Sequence, residues 1–149
     1  MDILGGLKLA DNANIKMEIR QTADGQTDNS ELFTKGEYRQ HDGCFYIDYD
    51  ESEATGFEGS HVQLCVKPDG IVTMTRTGRA FSSLVFEKGQ RHFCHYGTEF
   101  GDCMIGITTS SLHAKAEEDS CRIAVKYSLD VNSGLMLENE IVIKVNKTK

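Results

Sequence analysis

The chain has 149 residues, 39% of them apolar and 26% charged, which suits one domain with a real core and is short for two. That composition excludes a disordered chain, and no apolar run approaches the ~20 residues a membrane-spanning helix needs. A net charge of −7 with a pI near 5.2 argues against a nucleic-acid partner, because phosphate binding needs a concentrated basic surface.

The start, Met1-Asp2-Ile3-Leu4-Gly5-Gly6, lacks the basic opening of a secretory signal, and the five cysteines are an odd number. The expectation is a soluble cytoplasmic protein with reduced thiols and no membrane partner. The charge is uneven. Residues 1–60 carry 13 acids and 5 bases, whereas the rest is close to balanced. An acidic surface of this kind serves solubility first.

Period-two alternation dominates the chain, and no window of similar length keeps a 3.6-residue period, so helix is expected to be minor, with at most a turn near the N-terminus. In chain order, the alternation passes through Ile15, Met17 and Ile19, then Val62, Leu64 and Val66. It continues through Val72, Met74 and Arg76, through Cys103, Ile105 and Ile107, along Cys121 to Leu129, and through Asn139, Ile141, Ile143 and Val145. Ile105, Ile107, Ile123, Val125 and Val72 are expected to face one interior.

The segments His41-Asp42-Gly43, Pro68-Asp69-Gly70, Lys88-Gly89-Gln90 and Asn132-Ser133-Gly134 carry turn residues that tolerate positive φ or preset a bend. Ten or eleven short strands joined as adjacent hairpins make an antiparallel up-and-down meander. Closing it into a barrel removes the exposed edges, with a β-sandwich as the competing architecture. Strict alternation of direction would place those four turns on one rim. The links Thr22–Ser30, Asp50–Ser60, Gly97–Gly101 and Glu117–Ser120 would then share the opposite rim, which becomes the candidate mouth.

From Lys35 onward the segments Thr34-Lys35-Gly36-Glu37-Tyr38, Tyr46-Ile47-Asp48-Tyr49, Met74-Thr75-Arg76-Thr77-Gly78, Tyr96-Gly97-Thr98-Glu99-Phe100-Gly101 and Ile123-Ala124-Val125-Lys126-Tyr127 follow one another in a distinctive order. In that order and spacing the chain resembles the YwiB-like family of uncharacterised bacterial β-barrel proteins. The resemblance implies a single calycin or lipocalin-like barrel over residues 1–149 in a bacterial cytoplasm, and it brings no activity, because the family has none assigned.

The chain has no phosphate-binding glycine loop, no nucleophile elbow and no zinc-protease helix motif, so no enzyme activity is expected. Arg76 shares the parity of Val72 and Met74, so its guanidinium points inward and must find a partner there. It is either an anion anchor or one half of a structural ion pair. Tyr96 and Thr98 end a strand running the same way, which puts them at the rim with Arg76. Arg76, Tyr96 and Thr98 are therefore the candidate ligand-binding residues.

Tyr127 and Thr109 are expected at the other end, with Tyr127 a core tyrosine. The run Asp48-Tyr49-Asp50-Glu51-Ser52-Glu53 is either a solvated strand end or the source of an acid that pairs with Arg76 or Arg79. His92, Cys94 and Cys103 could meet across a hairpin, but their spacing fits no zinc motif, and no metal or cofactor is expected. Two functions follow. One is a non-catalytic binder of a small, partly apolar or anionic ligand in the mouth. The other is a protein-interaction module with a side-chain-filled barrel and an acidic binding face.

Overall fold

The computed structural model describes residues 11–52, 58–98, 101–131 and 134–148. They form ten strands, with no helix among the described residues: β1 (Ala13–Ala23), β2 (Gln26–His41), β3 (Cys44–Asp50), β4 (His61–Val66), β5 (Val72–Thr77), β6 (Ser82–Phe86), β7 (Arg91–Thr98), β8 (Gly101–Ala116), β9 (Ser120–Val131) and β10 (Leu135–Lys147). The helical turn expected near the N-terminus lies outside the described residues.

Each strand pairs antiparallel with its sequence neighbour, and β1 also pairs with β10, so the sheet closes into an up-and-down barrel. Closure gives every strand two neighbours, although residues 26–36 of β2 pair β1 alone, and the sandwich alternative falls. Side chains alternate through the wall as the sequence pattern requires. In β9, Cys121, Ile123, Val125 and Tyr127 are buried inward between exposed Arg122 and Lys126. The expected inward set holds throughout: Val72, Ile105, Ile107, Ile123 and Val125 are all buried in one core.

The strands are unequal in length. β1, β2, β8, β9 and β10 run to 11–16 residues, while β3 to β7 have 5–8. The excess extends one side of the barrel, where β2, β1, β10 and β9 stay paired beyond the short strands. The link expected from Thr22 to Ser30 is no loop, because the β1–β2 ladder continues to the pair Ala23–Gln26 and turns on Asp24-Gly25. Asp24 (φ 51°) and Gly25 (φ 77°), like Asp42 (φ 50°) and Gly43 (φ 79°), have the paired positive φ of a two-residue hairpin turn. Gly97–Gly101 is likewise mostly strand.

The rims also differ from expectation. The turns at 42–43, 67–70 and 87–90 share one rim, but with 117–119. The turn around Gly134 lies on the opposite rim with 24–25, the stems 51–52 and 58–60, and 78–81. The reason is that β8 crosses the polar stretch Thr108-Thr109-Ser110-Ser111 without reversing. A bulge at Ser110 absorbs the irregularity, and the serine hydroxyl bonds the Lys126 carbonyl at 3.2 Å.

The tight-turn end is closed by Tyr38. Its hydroxyl donates to the Glu117 carbonyl at 2.6 Å, its ring stacks on Phe45 at 5.9 Å, and the Asn12 side chain bonds both its backbone N–H and its C=O. Burial raises the phenol's pKa well above its ordinary value.

Candidate functional site

The register places Arg76 opposite Ser82 and Ser82 opposite Tyr96, so Arg76 and Tyr96 stand at one level of the wall on β5 and β7, as expected. Thr98 ends β7 opposite Gly101, and the expectation for its side chain lies outside the described residues. Arg76 points inward, but a protein carboxylate already holds it. Its Nη2 and Nε reach Glu51 Oε1 at 2.8 and 3.1 Å, with the arginine side chain 12% and the glutamate 1% exposed.

Of the two readings of the acidic run, Glu51 takes the ion pair. The chain folds inward just past β3, with the Glu51 N–H donating to the Ser60 carbonyl at 2.9 Å. This stem lies so close to the β5–β6 turn that a Cβ at Gly78 (φ 111°) would sit 2.7 Å from the Gly59 carbonyl oxygen.

Phenols surround the pair. Tyr49 is buried beside it, its pKa raised by burial and by the Glu51 charge and partly restrained by Arg76. Tyr127, expected at the far end with Thr109, is a core tyrosine that spans the interior. Its ring meets Phe86 at 4.8 Å, while its hydroxyl lies within reach of Asn139, Tyr96 and Arg76. Burial, helped by Tyr96, pushes its pKa up to about 12.

Thr109 does sit by the tight-turn rim, where Gly89 N–H bonds its carbonyl, and its buried hydroxyl has no partner among the described residues. Asn139 was not among the sequence-derived candidates, and Glu51 was singled out only as one acid of the run 48–53 that could pair with Arg76. The signal for Glu51 was an acid near an inward arginine, and the signal for Asn139 was its place in the apolar alternation of β10.

Two polar clusters lie on the outer wall. Arg91 reaches across β8 to Asp130 on β9, with Nη2 and Nε at 2.8 and 3.2 Å from its two oxygens, and stacks 4.4 Å over Phe93. The path is open because the residue beneath is Gly106, where any Cβ would collide with the guanidinium. On β3 and β4, His61 is held between Asp48 (Nε2, 2.8 Å) and Asp50 (Nδ1, 3.0 Å). Burial pulls its pKa down, but the hydrogen bonds to the two carboxylates and their charges win and leave it raised.

The trio that could have met across the β7–β8 hairpin does not form a metal-holding group among the described residues. His92 Nε2 bonds Glu87 at 2.9 Å, Cys94 is buried with its sulfur accepting the Val85 N–H at 3.4 Å, and Cys103 is exposed.

Two concavities open on the outside of the barrel. One of about 480 Å³ lies over β8, β9, β10 and β1, and one of about 650 Å³ over β10, β1 and β2, and they share Arg20 and Glu140. The combined trough is lined by Glu18, Glu31, Glu138 and Glu140 against Arg20 and Lys126. Glu140 lies 3.9 Å from Arg20 and 4.0 Å from Lys126, whereas Glu18 and Glu138 have no basic partner within ion-pair distance among the described residues. Exposed Met136 lines one end, and exposed Phe33 stands outward on β2 two residues from Glu31.

The fold and this interior define a ten-stranded antiparallel barrel with a polar cluster set into an apolar core. Residues 15–143 match a family described as a domain of unknown function, DUF1934, and the chain belongs to that family. Among solved structures it is similar to the crystal structure of the ywiB protein from Bacillus subtilis, with a TM-score of 0.80, 19% identity and 92% of each chain covered. The expected YwiB-like kinship therefore holds, and at this identity the likeness speaks for the fold. No curated protein matches the chain.

Proposed function

We propose that the protein is a non-catalytic interaction module of the cytoplasm, filled by its own side chains, that takes a basic segment of a partner protein in the acidic trough on its outer wall. The observation that carries this reading is the Arg76–Glu51 pair. The inward guanidinium that would anchor an anionic ligand is already held by a carboxylate 1% exposed, while the two open concavities lie outside. Glu18 and Glu138 supply the charge, and Phe33 and Met136 the apolar contacts that such a partner would cover.

A small-ligand reading of the mouth at Arg76, Tyr96 and Thr98 keeps one observation in its favour. The polar lining of Tyr127 and Asn139 and the lone Thr109 hydroxyl is more than a purely structural core requires.

Backbone amide spectra of the protein separate the two. An extended peptide of alternating lysine and leucine should shift resonances in β1 and β10 around Glu18 and Glu138. The variant Glu18→Gln/Glu138→Gln should weaken binding roughly five- to thirtyfold, from about 0.5–1 kcal/mol per exposed charge. Shifts confined to Arg76 and Tyr96 on adding small carboxylates or phosphates, with none from the peptide, would replace the interaction module by the carrier.

A further inference from the structure

The outer wall of β3 and β4 carries two thiols side by side. Cys44 opens β3 and shares a face with Tyr46, and Tyr46 stands directly opposite Cys65 of β4, so the two cysteines are diagonal neighbours across the ladder. Cys65 is buried yet lies outside the core cluster, while Cys44 is half-buried. The two thiols lie near enough to influence each other and the Tyr46 phenol, whose ring is covered by the Arg39 guanidinium at 4.4 Å.

The other three cysteines have no thiol neighbour of this kind. Cys94 and Cys121 are packed in the core, Cys121 against Tyr38, and Cys103 is exposed on β8.

We propose that Cys44 and Cys65 form a reversible redox pair that a hydroperoxide closes to a cross-strand disulfide. The half-exposed Cys44 meets the oxidant first. Its thiolate attacks a peroxide oxygen, forming an S–O bond as the O–O bond breaks, and the alcohol (water, for hydrogen peroxide) leaves with a proton. The Cys65 thiolate then attacks the Cys44 sulfenic sulfur, forming the S–S bond and expelling hydroxide, which takes up the remaining proton. Two thiols are oxidised by two electrons and one hydroperoxide is reduced to alcohol and water.

Burial and the neighbouring Cys44 hold the Cys65 thiol above its ordinary pKa, which suits a resolving partner and makes closure faster as pH rises. A disulfide also needs Cβ atoms roughly 3.5–4.5 Å apart, closer than an ordinary diagonal, so the ladder must shift to close it. Cys44 is placed for that movement, because its strand begins directly after the Asp42-Gly43 turn. A bond closed with strain is readily reduced again.

The test uses the full chain, reduced and then treated with hydrogen peroxide, unfolded in N-ethylmaleimide and read by intact mass and peptide mapping. The Cys103→Ser variant, which removes the exposed competitor, should pass from four alkylated thiols to two, with the Cys44 and Cys65 peptides joined and dithiothreitol restoring all four. Adding Cys44→Ser, at a half-exposed position the fold should tolerate, should abolish the two-thiol loss. Cys44 and Cys65 both remaining alkylatable in the folded Cys103→Ser protein, after peroxide has oxidised a free glutathione control completely, would overturn the pair, as would a bond from either to Cys94 or Cys121.

Discussion

An arginine is clasped by a carboxylate at two places in this barrel, once inside and once on the outer wall. Arg76 and Glu51 are 12% and 1% exposed, whereas Arg91 and Asp130 are 37% and 9% exposed. The two shortest contacts are the same, 2.8 Å, so bond length does not distinguish them. What differs is what remains when one partner goes. Inside, the survivor is a charge without water, and outside it is a charge that solvent can reach. The inner pair fixes the architecture of the mouth, and the outer pair ties β7 to β9 over the bulged β8.

The largest expected effect tests the wall that separates these two environments. Val125→Asp puts a charge among buried Ile107, Ile123 and Ile143 and should leave no cooperative unfolding transition, while Lys126→Asp, one residue on, should change stability by no more than about 0.5 kcal/mol. Equal losses in denaturant melts would mean that inside and outside are wrongly assigned.

Next comes the inner clasp. Arg76→Met should cost about 3–5 kcal/mol by stranding Glu51, and the double variant Arg76→Met/Glu51→Leu should recover much of it. An Arg76→Met protein as stable as its parent would place water or another cation at Glu51. The outer clasp should be milder. Arg91→Ala and Gly106→Ala should each cost about 1–2 kcal/mol, and the double variant little more than either, because both break the same contact to Asp130. Additive losses would separate the glycine from the arginine.

The smallest effect is a pH dependence at the His61 cluster. Its folded pKa is raised, so the stabilisation is fully present below the unfolded value near 6.5 and is lost as pH rises through the folded pKa. With the ring about one-third exposed, the change should stay under about 1 kcal/mol. His61→Gln should flatten that part of the stability–pH curve, and an imidazole titrating below 6.5 by NMR would reverse the sign.

Much of the fold was legible because most strands have one wet face and one dry face, which writes the register into alternating residues such as those of β9. Legibility failed where that contrast is missing. The β1–β2 hairpin from Arg20 to Glu31 has no buried residue on either face, so its strands carry no alternation, and only the Asp24-Gly25 turn marks them. β8 hides its continuity behind four hydroxyl residues and a bulge, which is why the last turns changed rims.

The inward direction of Arg76 followed from parity, and the acidic run offered its partner without saying which acid of the run it was. Glu51 lies just past the end of β3, where period two no longer dictates direction. The trough was beyond reach for a different reason. Its residues come from β1, β2, β8, β9 and β10, and only closure of the sheet brings the first two beside the last three.

That closure also has a consequence for how the chain reaches its native state. β1 must be zipped between β2 and β10, with Ala13 facing Lys147 from the other end of the sequence. During synthesis β1 and β2 emerge as a hairpin, and the β1 edge stays open to any passing strand until β10 has been delivered. A contact of such long range makes for slow folding. The waiting hairpin is also the point at which a chaperone, or an aggregating neighbour, would first engage the nascent protein.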